Sequence, residues 1–218
     1  FPWFGPREGE ATHGFARLEN WELHESIAVP EGGVSLRFSL PDTAESATCP
    51  PFSANYVVTV TDTLNLELII TNAAPDQNFI FESCLHTYFA VGDINAVSIT
   101  GLKGTSYLDK VESFIQKTET ADALKITSEV DRIYFDSTGP VEIRDEKLRR
   151  KIHIDKARSA STVVWNPGAA KAQQMPDFGN DEYKQMVCVE SGNVGRNRIV
   201  LPPGKSSALK VTLSSERL

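Results

Sequence analysis

Apolar and polar residues alternate with period two along much of the chain. Val34, Leu36, Phe38 and Leu40 are separated by Ser35, Arg37 and Ser39, and Leu64, Leu66, Leu68 and Ile70 by Asn65, Glu67 and Ile69. Successive side chains of a strand point to opposite faces, so this pattern predicts strands with one buried side. The segments 57–61, 79–81, 97–99, 133–135, 141–143, 152–154 and 209–213 extend the series. Pro30-Glu31-Gly32-Gly33, Asn72-Ala73-Ala74-Pro75-Asp76 and Pro202-Pro203-Gly204 supply turns between them. No long helical stripe occurs, and only short helical turns are expected near residues 168–174 and 181–185. Many strands joined by short turns predict an all-β, antiparallel β-sandwich rather than a crossover α/β fold. Pro41–Pro51 reads as a polar loop; with no linker or repeat, one domain over residues 1–218 is expected.

Composition narrows the classes of function. A chain of 218 residues, 40% hydrophobic and 23% charged, is long enough and apolar enough for a large core. Its net charge of -7 argues against nucleic acid or an anionic membrane as partner. An anionic small molecule would therefore need a local Arg or Lys to draw it in. No apolar run reaches membrane-spanning length, and the start has no signal-peptide pattern. Cys49, Cys84 and Cys188 are odd in number and lack metal-ligand spacing. Free thiols, no metal and a cytoplasmic location are expected. No motif specifies a number of subunits.

Three stretches carry candidate chemistry. Met186-Val187-Cys188-Val189-Glu190-Ser191 is a strand pattern that runs into a carboxylate. Glu190 either caps that strand at the sheet's rim or stands where its proton affinity is raised. Of the four histidines, His86 alone is set among apolar and aromatic residues, in Leu85-His86-Thr87-Tyr88-Phe89. It is either a core histidine with both nitrogens satisfied or a group with adjustable protonation. His24 and His153 lie in polar strands and are expected in solvent. In Thr12-His13-Gly14-Phe15-Ala16-Arg17, Gly14 permits a sharp turn and a guanidinium follows. Arg17 suits either a surface salt bridge or an anion.

Taken together these stretches resemble the hexose-6-phosphate mutarotases, the glucose-6-phosphate 1-epimerases of the aldose 1-epimerase family. The matching strings are Phe1-Pro2-Trp3-Phe4-Gly5, His13-Gly14-Phe15-Ala16-Arg17, Leu85-His86-Thr87-Tyr88-Phe89, Val130-Asp131-Arg132-Ile133-Tyr134, Val164-Trp165-Asn166-Pro167 and Met186-Val187-Cys188-Val189-Glu190. The resemblance implies the galactose mutarotase-like supersandwich and interconversion of the α and β anomers of a hexose 6-phosphate. That chemistry needs one acid, one base and no cofactor. It implies Glu190 as base at a strand end, His86 as acid, and the sugar held between them. His13 and Arg17 would contact the sugar and its phosphate, although Thr12 stands where relatives often carry Gln. Asp131 would accept sugar hydroxyls, unless it only forms a turn. Trp165 would stack on the sugar or fill the core; Trp3 and Phe4 present the same choice, and Lys171 is a weaker phosphate candidate. The family also carries further strands ahead of the Phe1 motif, so the chain is expected to be short of its leading N-terminal strands. The alternative is a carbohydrate-binding or regulatory protein that keeps the fold without turnover.

Overall fold

The computed structural model describes residues 1–30 and 32–218; Glu31, in the turn expected at 30–33, lies outside the described residues. In chain order the strands begin with β1 (Glu22–Ala28), β2 (Val34–Ser39), β3 (Phe52–Val60), β4 (Leu64–Asn72), β5 (Phe79–Phe81) and β6 (Ser83–Leu85). Next come β7 (Tyr88–Ala90), β8 (Val97–Thr100), β9 (Ser106–Asp109), β10 (Ile115–Thr118), β11 (Val130–Phe135) and β12 (Val141–Asp145). The last five are β13 (Arg150–Ala157), β14 (Ser161–Asn166), β15 (Met186–Asn193), β16 (Ile199–Leu201) and β17 (Ser206–Arg217). Among the described residues the one α-helix is α1 (Gly168–Ala172), and Glu182–Gln185 forms a 3-10 turn. Both fall where helical turns are expected.

The chain folds as two compact units. One comprises Phe1–Cys84, Lys156–Arg158 and Asn193–Leu213; the other comprises Leu85–Asp155, Ser159–Gly192 and Ser214–Leu218.

The first unit carries the ladder β1-β2-β3-β4-β17. Its pairings are antiparallel, with Leu36 opposite Val58 and Leu68 opposite Leu209. Alternation in β4 buries Leu66, Leu68 and Ile70 while the residues between them stay half-exposed. Each such side chain contributes about 1.5–3 kcal/mol through removal from water. Trp3, Phe15 and Ala16 form a buried cluster against which Phe1, Trp21, Leu40, Cys49 and Phe52 pack. Trp3 thus fills the core. Gly14 fits there for a geometric reason: its φ is +73°, and a Cβ would lie 2.2 Å from the carbonyl oxygen of Phe1.

The second unit carries two antiparallel ladders. In one, Ile143 of β12 lies between Ile152 of β13 and Ile99 of β8, and all three are buried. In the other the order is β10-β9-β11-β14-β15, and β7 also pairs with β15. Every residue of β15 is buried, as are five of the six in β14. Such strands are covered on both faces and read as continuous apolar runs, not as alternation. That run is the frame of the candidate site.

Candidate functional site

Strand register brings two of the singled-out positions, Asp131 and Trp165, into one row with Cys188 and Tyr88. Asp131 lies opposite Trp165, Trp165 opposite Cys188, and Cys188 opposite Tyr88. Directly paired residues of an antiparallel sheet point to the same face. Glu190 stands two residues beyond Cys188, so it shares that face. His86 sits between β6 and β7, where the Thr87 amide donates to the Leu85 carbonyl at 2.9 Å and makes a tight corner. The corner turns the imidazole toward β15.

Its Nε2 lies 3.3 Å from Oε1 of Glu190, with the imidazole 36% exposed and the carboxylate only 1% exposed. An ionised carboxylate buried to that degree is costly unless a donor or cation faces it, and the imidazole supplies one. Its other nitrogen, Nδ1, lies 3.8 Å from Sγ of Cys188. Tyr88 stacks on the imidazole at 4.9 Å with an interplanar angle of 18°, and Trp165 meets it edge-on at 6.2 Å. One wall of the pair is therefore aromatic and half-open. Burial, reinforced by the charge of Glu190, pushes the Cys188 thiol well above the ordinary thiol range.

Asp131 is 7% exposed and its carboxylate pairs with the Lys110 ammonium at 2.8 Å. It lies inside β11, so it does not form a turn. Arg132, next along, faces the other way and bonds Glu119, which also accepts from the Tyr134 hydroxyl. Lys171 is paired with Glu129 at 3.0 Å. Asn166 anchors the strand ends: its amide nitrogen donates to the carbonyls of Tyr183 (2.8 Å) and Met186 (2.9 Å), and its oxygen accepts from the Gly168 amide (2.9 Å). This fixes where β14 stops, where α1 starts and where β15 begins.

His13 and Arg17 belong to the first unit. His13 has φ +64°; its Nδ1 accepts from the Gly5 amide at 3.1 Å and its ring meets Phe4 edge-on at 4.6 Å. Arg17 is exposed, with Nε donating to the Thr12 carbonyl at 2.8 Å. His24 is exposed beside Ser39, whereas His153 is half-buried beside Glu142 and Glu216.

The structure thus brings His86, Glu190, Trp165 and Asp131 to one face of one ladder. It corrects one expectation. Glu190 is the fifth of eight residues in β15 and not a strand end, because the strand runs on through Ser191-Gly192-Asn193, buried residues whose polar and Gly character reads as the end of a strand. His86 and Glu190, expected as acid and base, are in direct contact. Three residues gain importance that the sequence reading missed: Tyr88 against the imidazole, Cys188 at Nδ1, and Lys110 at Asp131. Spacing held two of the signals, since Tyr88 lies two residues from His86 and Cys188 two from Glu190. Trp165 is half-buried, lining the open side of the pair and not filling a core.

His86, Cys188 and Glu190 offer nitrogen, sulfur and oxygen atoms within 4.8 Å of one another. Their arrangement fits proton exchange better than metal ligation. A metal needs a thiolate, which burial opposes here, and the imidazole directs different nitrogens at the other two groups. All three cysteines are free. Among the described residues no helix is long and apolar enough to cross a membrane.

Comparison with known proteins agrees with this fold. The sequence profile of the family described as aldose 1-epimerase matches residues 1–214. A plant relative from Cenchrus ciliaris, provisionally named glucose-6-phosphate 1-epimerase, is 31% identical over 223 residues, covering 98% of this chain and 68% of its own. One of the same provisional name from Escherichia coli (strain K12) is 36% identical over 197 residues, covering 88% of this chain and 64% of its own. The chain therefore spans about two thirds of the length of these relatives. A crystal structure from Salmonella typhimurium, provisionally called a mutarotase, superposes with a TM-score of 0.90 at 32% identity, covering 100% of this chain and 72% of that one. A galactose mutarotase related enzyme from Lactobacillus acidophilus shares the fold at a TM-score of 0.75 and 16% identity, covering 99% of this chain and 81% of its own. The antiparallel β-sandwich expected from the strand pattern is the fold of these structures.

Proposed function

The chain belongs to the aldose 1-epimerase family, a family of isomerases, and on that premise we propose that it interconverts the α and β anomers of a hexose 6-phosphate. Glucose 6-phosphate is the favoured substrate, in line with the names of the relatives. The observation that carries the reading is the contact of Glu190 with Nε2 of His86 at 3.3 Å. In a cyclic sugar the anomeric oxygen and the ring oxygen share one carbon. An acid and a base that serve both must therefore stand close together, and a hydrogen-bonded pair meets that need.

Glu190 removes the proton of the anomeric hydroxyl. The electron pair of that O–H bond forms the carbonyl, the bond from the anomeric carbon to the ring oxygen breaks, and His86 gives its Nε2 proton to the ring oxygen. The open aldehyde rotates about its bond to the next carbon. The ring oxygen then attacks the other face, returns its proton to His86, and the new anomeric oxygen recovers one from Glu190. Protons and electrons balance within the cycle, so the step consumes no cofactor. Trp165 and Tyr88 offer apolar faces to the sugar's C–H surface, Asp131 accepts from hydroxyls, and His13 and Arg17 are assigned to the sugar and its phosphate by the sequence resemblance.

Exchange of freshly dissolved α-glucose 6-phosphate, followed by NMR with trace protein, tests this. His86→Asn and Glu190→Gln are each expected to lower kcat about 100-fold or more while leaving sugar binding measurable. Exchange at the wild-type rate in either variant removes that residue from the mechanism. Binding without any exchange by the unaltered protein would instead identify a carbohydrate-binding module.

A further inference from the structure

We propose that Cys188 is a positioning residue for His86: its neutral sulfur holds the Nδ1 proton, so that Nε2 is the nitrogen that exchanges protons. The inference rests on the acid role given above to His86. It starts from the two ends of one imidazole. Nε2 faces the carboxylate of Glu190 at 3.3 Å, while Nδ1 faces Sγ of Cys188 at 3.8 Å, within reach of a hydrogen bond to sulfur. Cys188 is fully buried and the imidazole is 36% exposed. The Nδ1 end of the ring is therefore closed to solvent by the thiol.

A neutral imidazole keeps one proton. Once Nε2 has given its proton to the ring oxygen, the remaining one must reside on Nδ1, where sulfur accepts it. The kind of acceptor matters. A carboxylate or thiolate at Nδ1 would stabilise the imidazolium and make it a reluctant acid. A thiol is a weak acceptor, so it orients the ring while adding little to its proton affinity. Burial and the nearby charge of Glu190 both oppose thiolate formation, which keeps the partner neutral. Among the described residues, titratable side chains set against the ring include Glu190 and Cys188 on β15 and Tyr88 on β7. Tyr88 adds a stacked face at 4.9 Å that restrains tilt.

The Nδ1–H proton resonance of the 15N-labelled His86 imidazole tests the contact without any need for turnover. It should be observable and protected from exchange with solvent in wild type and lost in Cys188→Ala. An imidazole whose Nδ1 carries no protected proton in wild type overturns the proposal. Kinetics test its consequence. Cys188→Ala should lower kcat about tenfold with KM nearly unchanged, and Cys188→Ser, whose hydroxyl also bonds Nδ1, should recover to within about threefold of wild type. An equal loss in both variants would assign Cys188 to packing and reject the positioning role. A protected Nδ1 proton in a protein that exchanges no anomers would reject the proposed function and leave the cysteine–histidine contact standing.

Discussion

A buried carboxylate beside a half-exposed imidazole was visible in the sequence only as two residue types in unusual company. His86 stood out because aromatic and apolar neighbours surround it, and Glu190 because it follows Val, Cys and Val. Their meeting was legible through family resemblance, since no local pattern encodes a contact between residues so distant along the chain. The thiol at Nδ1 was not legible: a cysteine within an apolar strand reads as a small hydrophobe. The role of Arg17 can be separated at this scale. Its guanidinium is exposed and its Nε is held by the Thr12 carbonyl, an arrangement that orients the side chain. If it takes the phosphate, Arg17→Ala should raise KM for glucose 6-phosphate about tenfold or more, because a charge-assisted bond is lost. KM for glucose should stay within about twofold. Equal changes with both sugars would reject the phosphate role.

Among the elements, alternation located the strands with one covered face, such as β4, and said little about those covered on both. β14 and β15 are the strands that carry the site, and their boundaries depend on tertiary partners that a period cannot reveal. Asn166 sets one such boundary. It is 1% exposed, and its amide binds three backbone groups, one each at the start of α1, in the 3-10 turn and at the start of β15. In the sequence it is only the residue between Trp165 and Pro167. Asn166→Ala would strand two carbonyls and one amide away from water, each costing about 1–3 kcal/mol if nothing replaces the bond. We expect a loss of about 3 kcal/mol in stability, measured by urea unfolding. At temperatures where the variant stays folded, kcat should also fall, because the start of β15 carries Cys188 and Glu190 with it. A variant as stable as wild type would show that the strand boundary is set elsewhere.

For the molecule as a whole, a net charge of -7 predicts solubility and indifference to polyanions, but it does not predict how stability varies with pH. One half-buried cation does. Burial lowers the Lys156 ammonium from 10.5 to about 8, and the nearby Cys84 offsets only part of that effect. The unfolded chain holds this proton up to about pH 10.5, whereas the folded chain releases it near 8. Between those values the unfolded state binds more protons, so stability rises with pH. The associated stability is fully present above the unfolded value and is lost as pH falls through the folded one. Other groups close the window from above. The Cys188 thiol is raised by burial and the charge of Glu190, so it opposes the climb beyond its unfolded value of 9.0. The Tyr134 phenol is raised by burial, and the Lys117 and Lys184 ammoniums by bonds to Glu112 and Asp181, so each adds to this beyond its own unfolded value near pH 10. Urea midpoints should therefore climb from about pH 8 to about pH 9 and level off beyond it, in enough salt to screen the surface. Lys156→Met keeps the packed stem and removes the charge. It should raise the midpoint at pH 7 and flatten the climb, with the two proteins converging as pH 10 is approached. A wild-type midpoint that falls over this range, or a variant that climbs in parallel with it, would place the controlling proton on another group.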